Sequence, residues 1–228
     1  MTAFIAALAA FILIHLGLAA TGLRARLVAA IGEGPYRGLF SIASAVLLAA
    51  LIFTYGAARS DPANVALWSP PAGMRHATYL IAGIGVTLAF AGLLTPGPTL
   101  AGAEGMLKSE TPARGVLYIT RHPFLWGVSL WGFGHALANP ELAPTLLFLG
   151  LAVMAALGTR SIDKKGAVRP GWPAFAAVTS NVPFAALIQG RAKAPIGQMI
   201  GPLVIGVVIA GAVLWAHPMA FGVNALPN

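Results

Sequence analysis

Two histidines sit where lipid is expected. The stretch ARGVLYITRHPFLWGVSLWGFGHALANP, Ala113 to Pro140, carries His122 ahead of an apolar run and His135 inside it, and MTAFIAALAAFILIHLGLAA at the start carries His15. A charge inside a bilayer costs about 2.5 kcal/mol or more on insertion, so an intramembrane imidazole is a functional candidate by default. His122 and His135 are 13 positions apart, which on a helix is about 20 Å and roughly 220°. They cannot serve one metal ion together. His15 and His135 can: with span midpoints near Leu13 and Trp131, one lies about 3 Å inside the midplane and the other about 6 Å outside it. Two imidazoles on opposite sides of a haem iron place their Cα atoms about 12 Å apart, which suits a clamp between the first and fourth spans. His76, at the outer end of the third span, is a rival partner for His135. The competing reading of both is a neutral imidazole hydrogen-bonded to a neighbouring helix.

His122 has other surroundings. In Thr120-Arg121-His122-Pro123 the proline suits a first helical turn, where its missing N–H is not needed. Arg121 and His122 thus come near the inner headgroups, where they would anchor the helix or bind an anion: a haem propionate, a phospholipid headgroup or a nucleotide-like cofactor. His217, followed by Pro218, is expected to end the last span.

The elements that must position these residues are helices in a membrane. Of 228 residues 58% are hydrophobic and 9% charged, with a mean hydropathy of +0.82, against roughly 25% charged in a soluble domain. Cysteine is absent, which excludes disulfides, iron–sulfur ligation, a thiolate nucleophile and thioether-linked haem. Apolar runs occur at Ala3–Leu23, Gly38–Ala58, His76–Leu94, Phe124–Leu137 with flanks, Leu142–Thr159 and Gln198–His217. Such runs predict an all-α, polytopic transmembrane bundle of about six spans in one domain over residues 1–228. The first run lacks a basic region ahead of it and is expected to remain as a span. Thr95–Thr120 and Ser161–Pro195 are too long for turns and are expected to hold amphipathic, interfacial or re-entrant pieces.

The net charge of +8 lies in loops and reads as topology, with no nucleic-acid partner implied. Twelve of the fourteen Lys and Arg residues fall in the first, third and fifth loops, against Arg59 and Arg75 on the other side. The positive-inside rule then puts both termini outside, periplasmic for a multi-pass protein of a bacterial inner membrane. All six acidic residues fall in loops or at span ends, so an intramembrane carboxylate relay is not supported.

Several motifs in order resemble the NnrU family of bacterial membrane proteins: ILIHLGLAATGLRARLVAAIGEGPYRGLF (Ile12–Phe40), MRHATYL (Met74–Leu80), PARGVLYITRHPFLWGVSLWGFGHALANP and TSNVPFAAL (Thr179–Leu187). The likeness runs to about Gly190, with the span at 198–217 beyond it. It implies a link to denitrification and nitric oxide metabolism. The family is similar in turn to zeta-carotene isomerase, a haem b membrane enzyme. There, histidines in H-x-G-x-A and W-x-x-x-H contexts are implicated in haem ligation, and these match His15 and His135. The isomerase has a cysteine three residues before the second histidine, where this chain has Gly132.

Three function classes follow. The first is a haem b protein with His15 and His135 on the iron and Arg37, Arg121 or His122 at the propionates, isomerising a lipophilic polyene or handling electrons or nitric oxide. The second is an S-adenosylmethionine-dependent membrane methyltransferase, since Arg-His-Pro before an aromatic resembles that group's motif, with Asp163 the sole acid in the corresponding region. The third is a non-catalytic assembly factor docked on a membrane complex such as a nitric oxide reductase.

Overall fold

The computed structural model describes residues 1–18, 21–71, 73–193, 195–223 and 225. The described residues are helical and contain no strand; one isolated antiparallel bridge joins Ala66 and Glu141. Four helices are long and apolar enough to cross a membrane: α3 (Glu33–Arg59), α4 (Met74–Leu94), α6 (Leu142–Gly166) and α9 (Ile196–Phe221). A fifth crossing results if α1 (Thr2–Ile12), which runs on as a wider π-type turn through Leu13–Leu18, is counted with α2 (Gly22–Ile31), set at 80° to it.

The remaining expected span is α5 (Pro123–Ala138), only 16 residues, about 24 Å long against a hydrocarbon core of about 30 Å. Its length is set locally. Pro123 opens it, and at its end the Asn139 side chain donates to the His135 carbonyl at 2.7 Å, just before Pro140. At the other extreme α9 runs through Pro218 to Phe221, so His217 does not end it. A proline in a last turn removes only one backbone donor, and here Gly222, in the left-handed conformation, closes the helix.

The helices meet through small residues. A Cβ on Gly85 of α4 would lie 2.5 Å from the Trp131 nitrogen and 2.7 Å from the Gly127 carbonyl of α5, and one on Gly206 of α9 would lie 2.5 Å from the Thr87 carbonyl. Such approaches exclude any side chain and are how membrane helices gain packing where lipid offers no hydrophobic drive. The first helix instead buries Phe4, Leu8 and Phe11 against Leu51, Ala58 and Ala143. The outer faces remain apolar and uncovered, with Phe53 81% and Trp215 74% exposed, as suits a surface solvated by lipid tails.

Neither long linker is a spanning piece. Thr95–Thr120 forms two 3-10 turns, Glu104–Lys108 and Gly115–Tyr118, in place of an amphipathic α-helix, because Pro96, Pro98 and Pro112 deny it donors. Ser161–Pro195 finishes α6 and then makes the short α7 (Trp172–Val178) and α8 (Ala185–Ile188). Leu107, Ala113 and Leu117 of one linker pack with Trp172 and Phe175 of the other, so the two form a cap over one end of the bundle.

The two ends differ in charge. At one, the Met1 amino group pairs with Asp61, the Asn64 side chain accepts from the Ala143 nitrogen at 2.8 Å, and the Leu67 nitrogen donates to the Pro140 carbonyl at 2.8 Å. At the capped end, Glu33 bridges Arg24 (2.6 Å) and Arg37 (2.7 Å), and Glu104 holds Arg37 at 3.2 Å.

Candidate functional site

The most organised polar site lies at the capped end, where α5 begins. A residue before proline is pushed out of the helical region, and His122, at φ −124° and ψ 53°, is the helix's N-terminal flank. The stretch before it is pinned to the second linker. The Arg121 nitrogen donates to the Ser180 carbonyl at 2.8 Å, the Phe184 nitrogen to the Ile119 carbonyl at 2.6 Å, and the Thr120 hydroxyl to the Asn181 carbonyl at 2.6 Å. The Thr99 hydroxyl donates to the Arg121 carbonyl from the first linker.

So held, Arg121 and His122 converge on Asp163 in the last turn of α6. Arg121 Nε donates to Oδ1 at 2.8 Å and Nη2 to Oδ2 at 3.0 Å, a two-pronged fork; the Asn181 amide donates to Oδ2 at 2.9 Å. His122 Nε2 lies 2.7 Å from Oδ1. A carboxylate facing a guanidinium fork and an amide is an acceptor only, so this nitrogen carries the proton and Nδ1 the lone pair. Burial pushes the His122 pKa below its usual value, opposed by the hydrogen bond that His122 donates to Asp163. The imidazole is therefore neutral near pH 7. Arg121 also lies over the Trp172 ring at 5.5 Å and reaches the Thr179 carbonyl at 3.3 Å. Arg191 closes the end of α7 by donating to the carbonyls of Ala176, Ala177 and Thr179.

Sequence reasoning placed Arg121 and His122 near the inner headgroups. The structure brings them together, but inside the cap, on an internal counter-ion. Arg37 is not with them: it holds Glu33 and Glu104. Asp163 as the common partner, and Asn181 with it, were missed. The available signal was that Asp163 is the only acid among the six basic residues of the fifth loop.

The intramembrane histidines form a second group. His15 Nδ1 lies 2.7 Å from the Phe11 carbonyl, and its ring contacts Phe11 and Phe40. His135 Nδ1 lies 2.8 Å from the Trp131 carbonyl, and its ring contacts Trp131, Phe148 and His217. His217 Nδ1 is 2.9 Å from the Val223 carbonyl. All three rings use Nδ1 on a backbone oxygen, which fixes the proton there and leaves Nε2 with its lone pair, the arrangement found in metal-ligating histidines.

Their spacing is less even than the sequence suggests. Met1 and Asn139 belong to the same end of the bundle. From that end His15 is about 21 Å along its helix and His135 about 6 Å, an offset of about 15 Å. The ring that meets His135 is that of His217, with centroids 6.5 Å apart and planes inclined by 25°. No ring contact joins His135 to His15 or His76 among the described residues. Nor do three or more His, Asp or Glu side chains gather there as a metal site.

A family model described as NnrU protein matches residues 3–225, from the start of α1 through α9. No curated protein and no solved structure matches the chain.

Proposed function

The chain belongs to the NnrU family, and from that premise we propose that it is a haem b protein of the bacterial inner membrane serving nitric oxide and denitrification metabolism. The observation that carries the reading is the pair His135 and His217, each with Nδ1 on a backbone carbonyl, their ring centroids 6.5 Å apart. Metal–nitrogen bonds of about 2 Å, plus the reach from nitrogen to ring centre, put two imidazoles across one metal about 6 to 6.5 Å apart, centre to centre. The ring separation of His135 and His217 therefore matches that of two imidazoles that would share one iron. His135 is the ligand common to the resemblance and to this geometry; His15 is the opposite ligand by resemblance and His217 by ring separation.

Bound haem would supply a redox-active iron able to take diatomic ligands. The chain's own residues orient the imidazoles: the Trp131 and Val223 carbonyls fix their tautomers, and Trp131 and Phe148 wall the His135 ring with apolar surface. Arg121 and His122 are already engaged by Asp163, and Arg37 by Glu33 and Glu104; all three sit at the capped end, away from His135 and His217, so a haem held by that pair would find its propionate partners elsewhere. With Gly132 in place of cysteine, no thiolate is at hand for a ligand switch of the isomerase kind. The charge split between loops and the gathering of Met1 with Asp61 favour periplasmic termini.

The experiment is an absorption spectrum of the protein purified from haem-replete cells. A Soret band is expected, and His135→Ala should lose it. Of His15→Ala and His217→Ala, the one that loses the low-spin bis-imidazole spectrum identifies the second ligand. Absence of a Soret band from the folded wild type refutes the reading.

A further inference from the structure

Beside the Asp163 network, between the start of α5 and the turn that follows α4, lies a cavity of about 210 Å³. Leu117, Phe124, Leu125 and Ile162 give it apolar walls, and His122, Thr95 and Thr99 are its polar side chains; Thr99 already donates to the Arg121 carbonyl, and Thr95 also borders a neighbouring cavity. His122 and Thr95 each have one buried side-chain atom without a hydrogen-bond partner: Nδ1 of His122 and Oγ1 of Thr95. His122 is 2% exposed and Thr95 6%. Buried polar atoms are nearly always paired, so two orphans on residues that line one cavity call for an explanation.

The chemistry of the orphans restricts what would pair them. His122 Nε2 is committed as donor to Asp163, so Nδ1 offers a lone pair. The Thr95 hydroxyl can give or accept. An anion would face that lone pair with the Asp163 carboxylate behind it, and no acid among the lining residues would balance a cation. The complement is a neutral, mostly apolar molecule with an O–H. The volume is about seven times a water's share of the liquid, and below the roughly 300 Å³ at which drug-sized pockets begin. It suits a ring or a short chain end. Phe124 and Ala101 on the rim are exposed, which leaves a way for a tail to continue out of the protein.

We propose that this cavity binds the hydroxyl-bearing end of a neutral lipid, a lipid alcohol or a quinol, whose O–H donates to His122 Nδ1. Asp163 is then a positioning residue: by holding Nε2–H it keeps the lone pair turned to the ligand, and Thr95 offers the second hydrogen bond. The proposal does not depend on haem.

The test is calorimetry on the wild type in lipid nanodiscs with two matched pairs of probes: 1-decanol against methyl decyl ether, and decylubiquinol against decylubiquinone under anaerobic conditions. In each pair the second member lacks the O–H. Saturable binding is expected, tighter for the hydroxyl form by about tenfold, the worth of one hydrogen bond in a dry site. The pair that shows the preference tells a lipid alcohol from a quinol. His122→Phe keeps a ring in place but carries no acceptor, and should erase the preference; Asp163 retains Arg121 and Asn181. Thr95→Val should weaken the preferred probe with the Asp163 network intact. Because the probe comparison is made on the wild type, it decides even if His122→Phe is unstable. Equal binding within both pairs, no saturable binding of either hydroxyl probe, or a preference that persists in folded His122→Phe overturns the proposal.

Discussion

Asp163→Asn is the substitution whose effect the structure specifies most closely. The carboxylate takes both prongs of Arg121, His122 Nε2 and the Asn181 amide, at 2.7 to 3.0 Å. Asparagine is nearly isosteric, but it removes the charge and turns an NH2 toward a guanidinium or an amide. Removing one partner of a buried ion pair costs about 3 to 5 kcal/mol. The Arg121 and Asp163 side chains are 14% and 22% exposed, so water relieves part of this and the lower end, about 3 kcal/mol, applies. Asn181→Ala removes one hydrogen bond to a charged group and should cost about 1.5 kcal/mol. The assay is reversible unfolding in mixed micelles of rising SDS content, followed by far-ultraviolet circular dichroism. Limited trypsinolysis should cut after Arg191 sooner in Asp163→Asn, since the linker is tied to α6 through this carboxylate. If Asp163→Asn is no less stable than Asn181→Ala, the network does not hold the cap together as argued.

Three further outcomes are expected. Because burial lowers the His122 pKa in the fold, the unfolded chain binds the proton more readily; stability is then full above the unfolded value of about 6.5 and falls as pH drops below it. Melting temperatures from pH 8 to 5 should show this fall in the wild type, and His122→Gln should flatten it. Gly127→Val would drive side-chain atoms into the backbone of Ala89 and Gly85, and should destabilise the α4–α5 pair by about 3 kcal/mol or abolish folded protein in a detergent-stability screen. An alkaline phosphatase fused after α9 should be active; an inactive fusion beside an active cytoplasmic reporter reverses the orientation.

What the residue pattern determined alone was the class of the molecule. Apolar runs of span length leave helices as the way to satisfy backbone groups in lipid, and lengths, prolines and loop charges are local properties that a linear reading sees. The NnrU likeness was legible for the same reason, as an ordered series of short motifs. Tertiary structure decided the rest. Asp163 follows Arg121 by 42 positions and Asn181 by 18 more lies across another turn, and nothing local says that the C-terminal end of α6 passes beside the start of α5. Depth along a helix can be counted, but rotation about its axis and the tilt of its neighbours cannot. Thus the sequence singles out His135 as an imidazole within a span, whereas its meeting with His217, and the cavity that His122 lines, depend on how α4, α5, α6 and α9 close on one another.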